Sequence, residues 1–228
     1  MKFYIIIFII FVYVAVSFFR FRYILNHANL PDIVQKDETF GSGAKLVYVA
    51  AGDSTSVGVG ASEVGKTYPY QLAKFLSANY AVEYHNVGVS GATTGDVIKN
   101  QLDKIIELHP DIVTISIGAN DVTHLHSLTS ILENDNKILS ELLQKTNAKI
   151  YITNVPRFDQ AYLLPWPLRA LYNFHAKSIN KKLKSPDSNR VIYIDIHSVG
   201  VVNSADQFHP SDAGYKLWFE AFSSKLKL

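Results

Sequence analysis

The sequence of 228 residues contains no cysteine. This absence excludes disulfide scaffolds, thiolate zinc sites and cysteine nucleophiles. A surplus of either charge is also missing, since 22 basic residues stand against 20 acidic ones. Residues 1–25 hold Lys2, Arg20 and Arg22 and no acid, so the remainder has 19 basic and 20 acidic residues. A nearly neutral remainder argues against a nucleic-acid partner, which normally binds a clustered basic face.

Charge is absent from the whole run between Phe3 and Phe19, which is 17 residues long. A membrane-spanning helix needs about 20 apolar residues, with a range of roughly 17–25, whereas the apolar part of a secretory signal has roughly 7–15. We therefore expect residues 1–25 to be an uncleaved anchor that contacts the membrane through residues 3–19, with the rest of the chain outside the cytoplasm. Secretion after signal cleavage is the alternative, and Ala15-Val16-Ser17 is the nearest cleavage motif.

The next segment, residues 26–44, is polar, contains Pro31, Gly41 and Gly43, and has no sustained periodicity. These features are typical of a linker. The hydrophobic fraction of the chain, 48%, is that of a globular protein, and the remaining length suits one domain over residues 45–228.

Five short β-rich runs recur in that domain, with helical patterns between them. They are LVYVA (46–50), VEYHNV (82–87), DIVTISI (111–117), AKIYITNV (148–155) and RVIYIDI (190–196). Between the second and third runs, Ile98, Leu102 and Ile105 fall on one helical face, and Pro110 ends that helix. Nearly continuous apolar runs predict parallel strands covered by helices on both faces. The expected fold class is α/β: a three-layer α/β/α sandwich with a five-stranded parallel, flavodoxin-like sheet, preceded by an N-terminal hydrophobic helix.

Chemistry is expected at the carboxyl ends of such strands. Polar and glycine-rich groups stand there: Gly52-Asp53-Ser54 after the first run, 88–91 after the second, 118–121 after the third, and 206–209 before the last helix. A serine hydroxyl needs a base within hydrogen-bond reach and a third group to orient that base. Asp206-x-x-His209 supplies both partners from one loop. A serine nucleophile is therefore a working hypothesis.

These four blocks, in this order, resemble those of the SGNH hydrolases, also called GDSL-type lipases and esterases. The resemblance extends from about Lys45 to the C-terminus. It implies that Ser54 is the nucleophile, His209 the general base and Asp206 the acid that orients it. The leucine of the GDSL motif is Thr55 here, at a position outside the chemistry.

The resemblance also implies an oxyanion hole made of the backbone N–H groups of Ser54 and Gly91 and the side-chain amide of Asn120. Glycine at position 91 lets the backbone approach the reacting carbon, and Asn120 is a neutral donor suited to a developing oxyanion. The implied activity is hydrolysis of a carboxylic ester, or transfer of its acyl group, through an acyl-enzyme. The expected enzyme is thus an esterase, lipase or lysophospholipase-like acylhydrolase that needs no metal or organic cofactor. Its expected substrate is a small-molecule, lipid or glycan ester.

Two alternatives to an esterase remain open at this point. Residues 60–67, GASEVGKT, match the phosphate-loop pattern of nucleotide-dependent phosphotransferases. A phosphate loop must follow its strand directly, however, and here Gly52 to Val59 lie between the end of the first strand, near Ala51, and Gly60. The second alternative is a membrane-anchored domain that binds ligands without catalysis.

The segment Phe158–Phe174 is apolar and aromatic. Three roles are open for it: an acyl-binding wall, a lid, or ordinary core packing.

Overall fold

The computed structural model describes residues 2–183 and 188–226. The few remaining residues of the predicted segment 1–25 and the predicted domain 45–228 lie outside this description. In the described residues, six strands form one sheet in the order β1-β3-β2-β4-β5-β6. Their bounds are β1 Glu38–Phe40, β2 Lys45–Gly52, β3 Ala81–Asn86, β4 Ile112–Ser116, β5 Lys149–Thr153 and β6 Val191–Ile194.

Strands β2 to β6 are parallel to one another and coincide with the five predicted runs to within a few residues. Counted among themselves, they have the 2-1-3-4-5 order of flavodoxin-like sheets. The predicted fold class is therefore confirmed. The sheet has one strand more than predicted, because β1 pairs antiparallel with β3 at the edge.

Nine α-helices and one short 3-10 helix, Val64–Lys66, occur in the described residues. The α-helices are α1 Lys2–His27, α2 Ser54–Val57, α3 Tyr68–Leu76, α4 Thr94–Asn100, α5 Leu102–Glu107, α6 Ala119–Thr123, α7 Leu128–Lys145, α8 Trp166–Asn180 and α9 Asp212–Ser223. Helices α3 and α9 contribute to a core on one face of the sheet, and α4, α5 and α7 contribute to a core on the other. Along β2, Tyr48 faces the first core and Val49 the second. Both faces of the strand are buried, which explains why its sequence is continuously apolar.

The N-terminal helix α1 contains a stretch, Tyr4–Ile24, that is long and apolar enough to cross a membrane, and of its described side chains only Ile24 is buried by the protein. Its mean hydropathy is 2.4. It is the one such helix among the residues described. Length and composition alone are shared by anchors and by signal sequences, so both localisation hypotheses stay open on this ground.

Candidate active site

A turn at the end of β2 carries Ser54, the predicted nucleophile, and we call it the nucleophile turn. Gly52 has a φ of +126°, and a Cβ atom there would lie 1.9 Å from the carbonyl oxygen of Ser116, so only glycine fits. The Asp53 N–H donates to that same carbonyl at 3.0 Å. The Asp53 carboxylate accepts hydrogen bonds from the Thr55 N–H at 2.9 Å and the Thr55 hydroxyl at 2.7 Å, which caps α2. Ser54 therefore begins α2 at the carboxyl edge of the sheet. Thr55, at the leucine position of the motif, helps to hold the turn.

Three of the predicted site residues lie in a continuous hydrogen-bonded chain. His209 Nε2 is 3.0 Å from Ser54 Oγ, and His209 Nδ1 is 2.5 Å from Asp206 Oδ2. The other carboxylate oxygen of Asp206 accepts from the backbone N–H groups of Phe208 and His209, both at 2.9 Å. One tight turn, with Gln207 at a φ of 60°, thus aims the imidazole at the serine.

The electrostatics of this turn keep Asp206 ionised. Burial favours the neutral acid, but the hydrogen bonds from the His209 ring and from the backbone outweigh burial, so the pKa of Asp206 lies below its ordinary value. A carboxylate at this place accepts from Nδ1–H of His209 and so selects that tautomer. The remaining ring nitrogen, Nε2, is then a free base facing the Ser54 hydroxyl.

The structure places Asn120 at the start of α6, in the lining of the pocket beside Ser54. Its side-chain amide donates one hydrogen bond to the Ala92 carbonyl at 2.9 Å, which ties the loop after β4 to the loop after β3. An amide nitrogen has two hydrogens, so the second remains to be donated. Gly91 precedes Ala92 but is not among the lining residues of that pocket.

The backbone conformation of Gly91 favours glycine. Its φ is +82°, a conformation that L side chains rarely adopt, and a Cβ atom there would meet no protein atom within 4 Å. The predicted approach of this backbone to the reacting carbon of a substrate stays a prediction.

The chain matches the family model of the GDSL-like lipase/acylhydrolase family over residues 50–217. It belongs to this family. The resemblance noted in the sequence is thereby confirmed over most of the chain.

Among curated relatives, a multidomain esterase of Ruminococcus flavefaciens is 33% identical over 138 residues, which is 55% of this chain and 17% of the relative. A lipase of Streptomyces rimosus is 32% identical over 126 residues, covering 50% of this chain and 45% of the relative. The chain spans less than half the length of the curated relatives that it matches. The solved lipase Lip_vut3 from a goat rumen metagenome superposes with a TM-score of 0.62 at 22% identity, over 78% of this chain and 96% of that one, and shows the same fold.

In this member of the GDSL-like family, the side chain of Gln101 holds the nucleophile turn through two hydrogen bonds to the backbone of Gly52. Its side chain accepts from the Gly52 N–H at 2.8 Å and donates to the Gly52 carbonyl at 2.9 Å. The helix predicted as continuous breaks at this residue, between α4 and α5. Sequence analysis missed Gln101. The available signal was a glutamine on the same helical face as Ile98 and Ile105.

The pocket beside Ser54 is small, about 60 Å³ in volume. Its walls are mostly apolar and include Phe158, Ala161, Phe208 and Trp218. The predicted segment Phe158–Phe174 thus divides into two parts. Its first residues line the pocket, whereas several side chains from its second half are exposed.

The segment GASEVGKT does not form a phosphate cradle. The N–H and hydroxyl of Ser62 both donate to the Asp212 carboxylate, at 2.7 and 2.6 Å, and the hydroxyl of Thr67 donates to the Val64 carbonyl. A phosphate loop needs its N–H groups and hydroxyl free for phosphate and metal. In residues 2–183 and 188–226, no group of three or more His, Asp or Glu side chains is arranged to hold a metal ion.

Proposed function

We propose that the protein hydrolyses carboxylic esters, with Ser54 as nucleophile, His209 as general base and Asp206 as the residue that orients it. The observation that supports this most strongly is the hydrogen-bonded chain from Asp206 through His209 to Ser54, at 2.5 and 3.0 Å. A binding domain without catalysis would not require these contacts. Each of them has the length expected of a working triad.

In the proposed mechanism, Ser54 Oγ attacks the acyl carbon while His209 Nε2 takes the hydroxyl proton. The tetrahedral intermediate then breaks its bond to the alcohol oxygen, and His209 returns the proton to that oxygen. Water next attacks the acyl-enzyme with His209 again as base, and the carboxylic acid leaves as Ser54 regains its proton.

In this proposal, the oxyanion of the intermediate is stabilised by donors from three segments, which follow β2, β3 and β4. They are the backbone N–H groups of Ser54 and Gly91 and the free side-chain N–H of Asn120. Because the Asn120 amide is already fixed by Ala92, it does not have to reorganise as charge develops. Preorganised donors stabilise the transition state more than the neutral substrate.

The size of the pocket favours esters with a short acyl group. A pocket of about 60 Å³ with mostly apolar walls suits a short acyl group and leaves little room for a long acyl chain. We infer that acetyl and similar short esters of small molecules or glycans are preferred over long-chain lipid esters. A series of p-nitrophenyl esters tests this inference. We expect kcat/KM to fall as the chain lengthens, and a rise toward long chains would contradict it.

The test of the proposed activity is ester hydrolysis by purified full-length protein and two variants. Ser54→Ala and His209→Ala should each lower kcat by a factor on the order of 10⁴–10⁶, with little change in melting temperature. Ser90→Ala, at an exposed serine after β3, is the matched control and should stay within a few-fold of wild type. Full turnover in Ser54→Ala would rule out the proposed nucleophile.

We also propose that α1 is retained as a membrane anchor. The support is the 21-residue length of its apolar stretch, Tyr4–Ile24, which exceeds the roughly 7–15 apolar residues of a secretory signal. Full-length protein should then stay with membranes through carbonate extraction. A free mature protein beginning near Phe18 would instead indicate a cleaved signal.

A further inference from the structure

An unusual concentration of exposed hydrophobic side chains lies around α8. Of the ten large hydrophobic side chains outside α1 that are exposed in the described residues, five fall between positions 162 and 174. We call these five the α8 surface: Tyr162, Trp166, Leu168, Leu171 and Phe174. Trp166 and Phe174 are 69% and 72% exposed. Scattered exposed hydrophobics are ordinary on soluble proteins, but contiguous ones mark an interaction site.

Part of the α8 surface lies on the outer side of α8, and Tyr162 lies in the segment before the helix. Leu171 and Phe174 are separated by one turn, while Asn173, Ala176 and Ile179 on the opposite side are buried in the domain. A helix at a protein–water boundary normally has polar residues on its outer side. Here the outer side is apolar until Lys177, one turn after Phe174.

The α8 surface is continuous with the proposed anchor. The backbone N–H of Trp166 donates a hydrogen bond to the Tyr13 hydroxyl of α1 at 3.1 Å. Beside this contact, Leu164, Pro165, Pro167 and Leu168 face α1 across an apolar groove of about 420 Å³ that runs from Tyr13 to Phe21. The occupant that suits an apolar groove next to a membrane-spanning helix is a lipid acyl chain.

The depth of these contacts agrees with a membrane interface. Arg20 is the first cation after the uncharged run of α1, and arginine side chains near helix ends extend to the headgroups. Tyr13 lies seven residues before Arg20, about 10 Å along the helix axis, and interfacial segments bury their apolar side by about 5–10 Å. Tryptophan and tyrosine are enriched at this level. The Arg20 guanidinium also donates to the side chain of Gln207, in the turn that holds the proposed triad.

We propose that the α8 surface inserts into the lipid bilayer beside α1 and thereby holds the mouth of the active site at the level of the headgroups. This inference rests on the proposed role of α1 as an anchor. It adds a second membrane contact, made by the folded domain itself. Lys177 at the edge of the surface is placed to meet lipid phosphates.

Tryptophan fluorescence of the full-length protein in phosphatidylcholine vesicles tests this proposal. The chain has two tryptophans, and Trp218 is buried, so Trp166 reports on the α8 surface. Lipids brominated near the headgroup should quench the emission relative to unbrominated lipids, and Trp166→Phe should abolish that loss. The double variant Leu171→Ser/Phe174→Ser should remain bound through α1 but show reduced quenching. Phe75→Ser, at an exposed phenylalanine of α3, is the matched control and should be quenched as wild type is.

The possible failures of the two proposals can be told apart. Protein that stays in the supernatant when vesicles are pelleted overturns the anchor and the inserted surface together. Protein that pellets while Trp166 is unquenched overturns the inserted surface alone, and so does quenching that persists in Trp166→Phe. Ester hydrolysis, measured in the same samples with a soluble short-chain ester, reports separately on the proposed catalysis.

Discussion

At the scale of single residues, Asn120 combines a structural bond with a proposed catalytic one, and mutation separates the two. Asn120→Ala should lower kcat by about 10²–10³, or about 2.7–4 kcal/mol, the usual effect of deleting one oxyanion-hole donor. KM should barely change. Asn120→Asp should be at least as damaging, because it places a negative charge where the oxyanion develops.

Steady-state kinetics beside a melting curve checks this prediction. If the bond from Asn120 to Ala92 is its whole role, the alanine variant will melt earlier while kcat per folded molecule stays intact. That pattern would remove Asn120 from the mechanism.

Ionisation of the Asp53 side chain should lower the free energy of unfolding. Burial raises the pKa of Asp53 to about 6, from an ordinary value of 3.8, although hydrogen bonds from Thr55 act in the opposite direction. The folded state then holds the proton more tightly than the unfolded state. This group therefore lowers stability as pH rises from about 4 to about 6, by on the order of 3 kcal/mol in total.

Denaturant unfolding of wild type and of Asp53→Asn at several pH values tests this prediction. The variant cannot ionise, so its stability relative to wild type should rise between about pH 4 and pH 6 and then level off. A difference that is the same at every pH would contradict the prediction.

At the scale of elements, Gln101 at the junction of α4 and α5 should stabilise the conformation of the nucleophile turn. Gln101→Leu removes both hydrogen bonds to Gly52. The Gly52 carbonyl keeps a bond from the Val89 N–H, whereas the Gly52 N–H is left buried without a partner, which costs about 1–3 kcal/mol. We expect lower stability and a lower kcat, because Ser54 lies two residues away.

Thermal melting measures the stability of Gln101→Leu, and steady-state turnover divided by the concentration of titrated active sites measures its kcat. The matched control is Gln144→Leu, at an exposed glutamine near the end of α7, which should change neither. A Gln101→Leu protein with wild-type stability and turnover would show that the turn does not depend on this junction.

The parallel strands and the contact between Asp206 and His209 could be predicted from sequence because each depends on local pattern. The pairing of His209 with Ser54, which lies 155 residues away, could be predicted only through the resemblance to the SGNH hydrolases. A strand buried on both faces is continuously apolar, and Asp206-x-x-His209 fits one turn. The break at Gln101 could not be predicted, since its partner, Gly52, lies far away in sequence. Strand β1 was missed for a related reason. It has three residues and a single buried side chain, Phe40, which packs beside Tyr84 of β3.

At the scale of the whole molecule, the proposed site lies at the carboxyl edge of the sheet, near the C-terminal part of α1. The contact from Arg20 to Gln207 links these two parts of the chain. The domain fold and the family follow from the match over residues 50–217. The identity of the nucleophile is the central claim that remains to be measured.

Labelling with a fluorophosphonate, followed by peptide mapping, tests that claim most directly. The probe forms a phosphorus–oxygen bond to an activated serine as fluoride leaves. Only a serine whose hydroxyl lies within hydrogen-bond distance of a base reacts quickly. We predict a single adduct on Ser54, strongly slowed in His209→Ala and absent in Ser54→Ala. An adduct on Ser56 or Ser90 instead, or equally fast labelling of Ser54 in His209→Ala, would contradict the account.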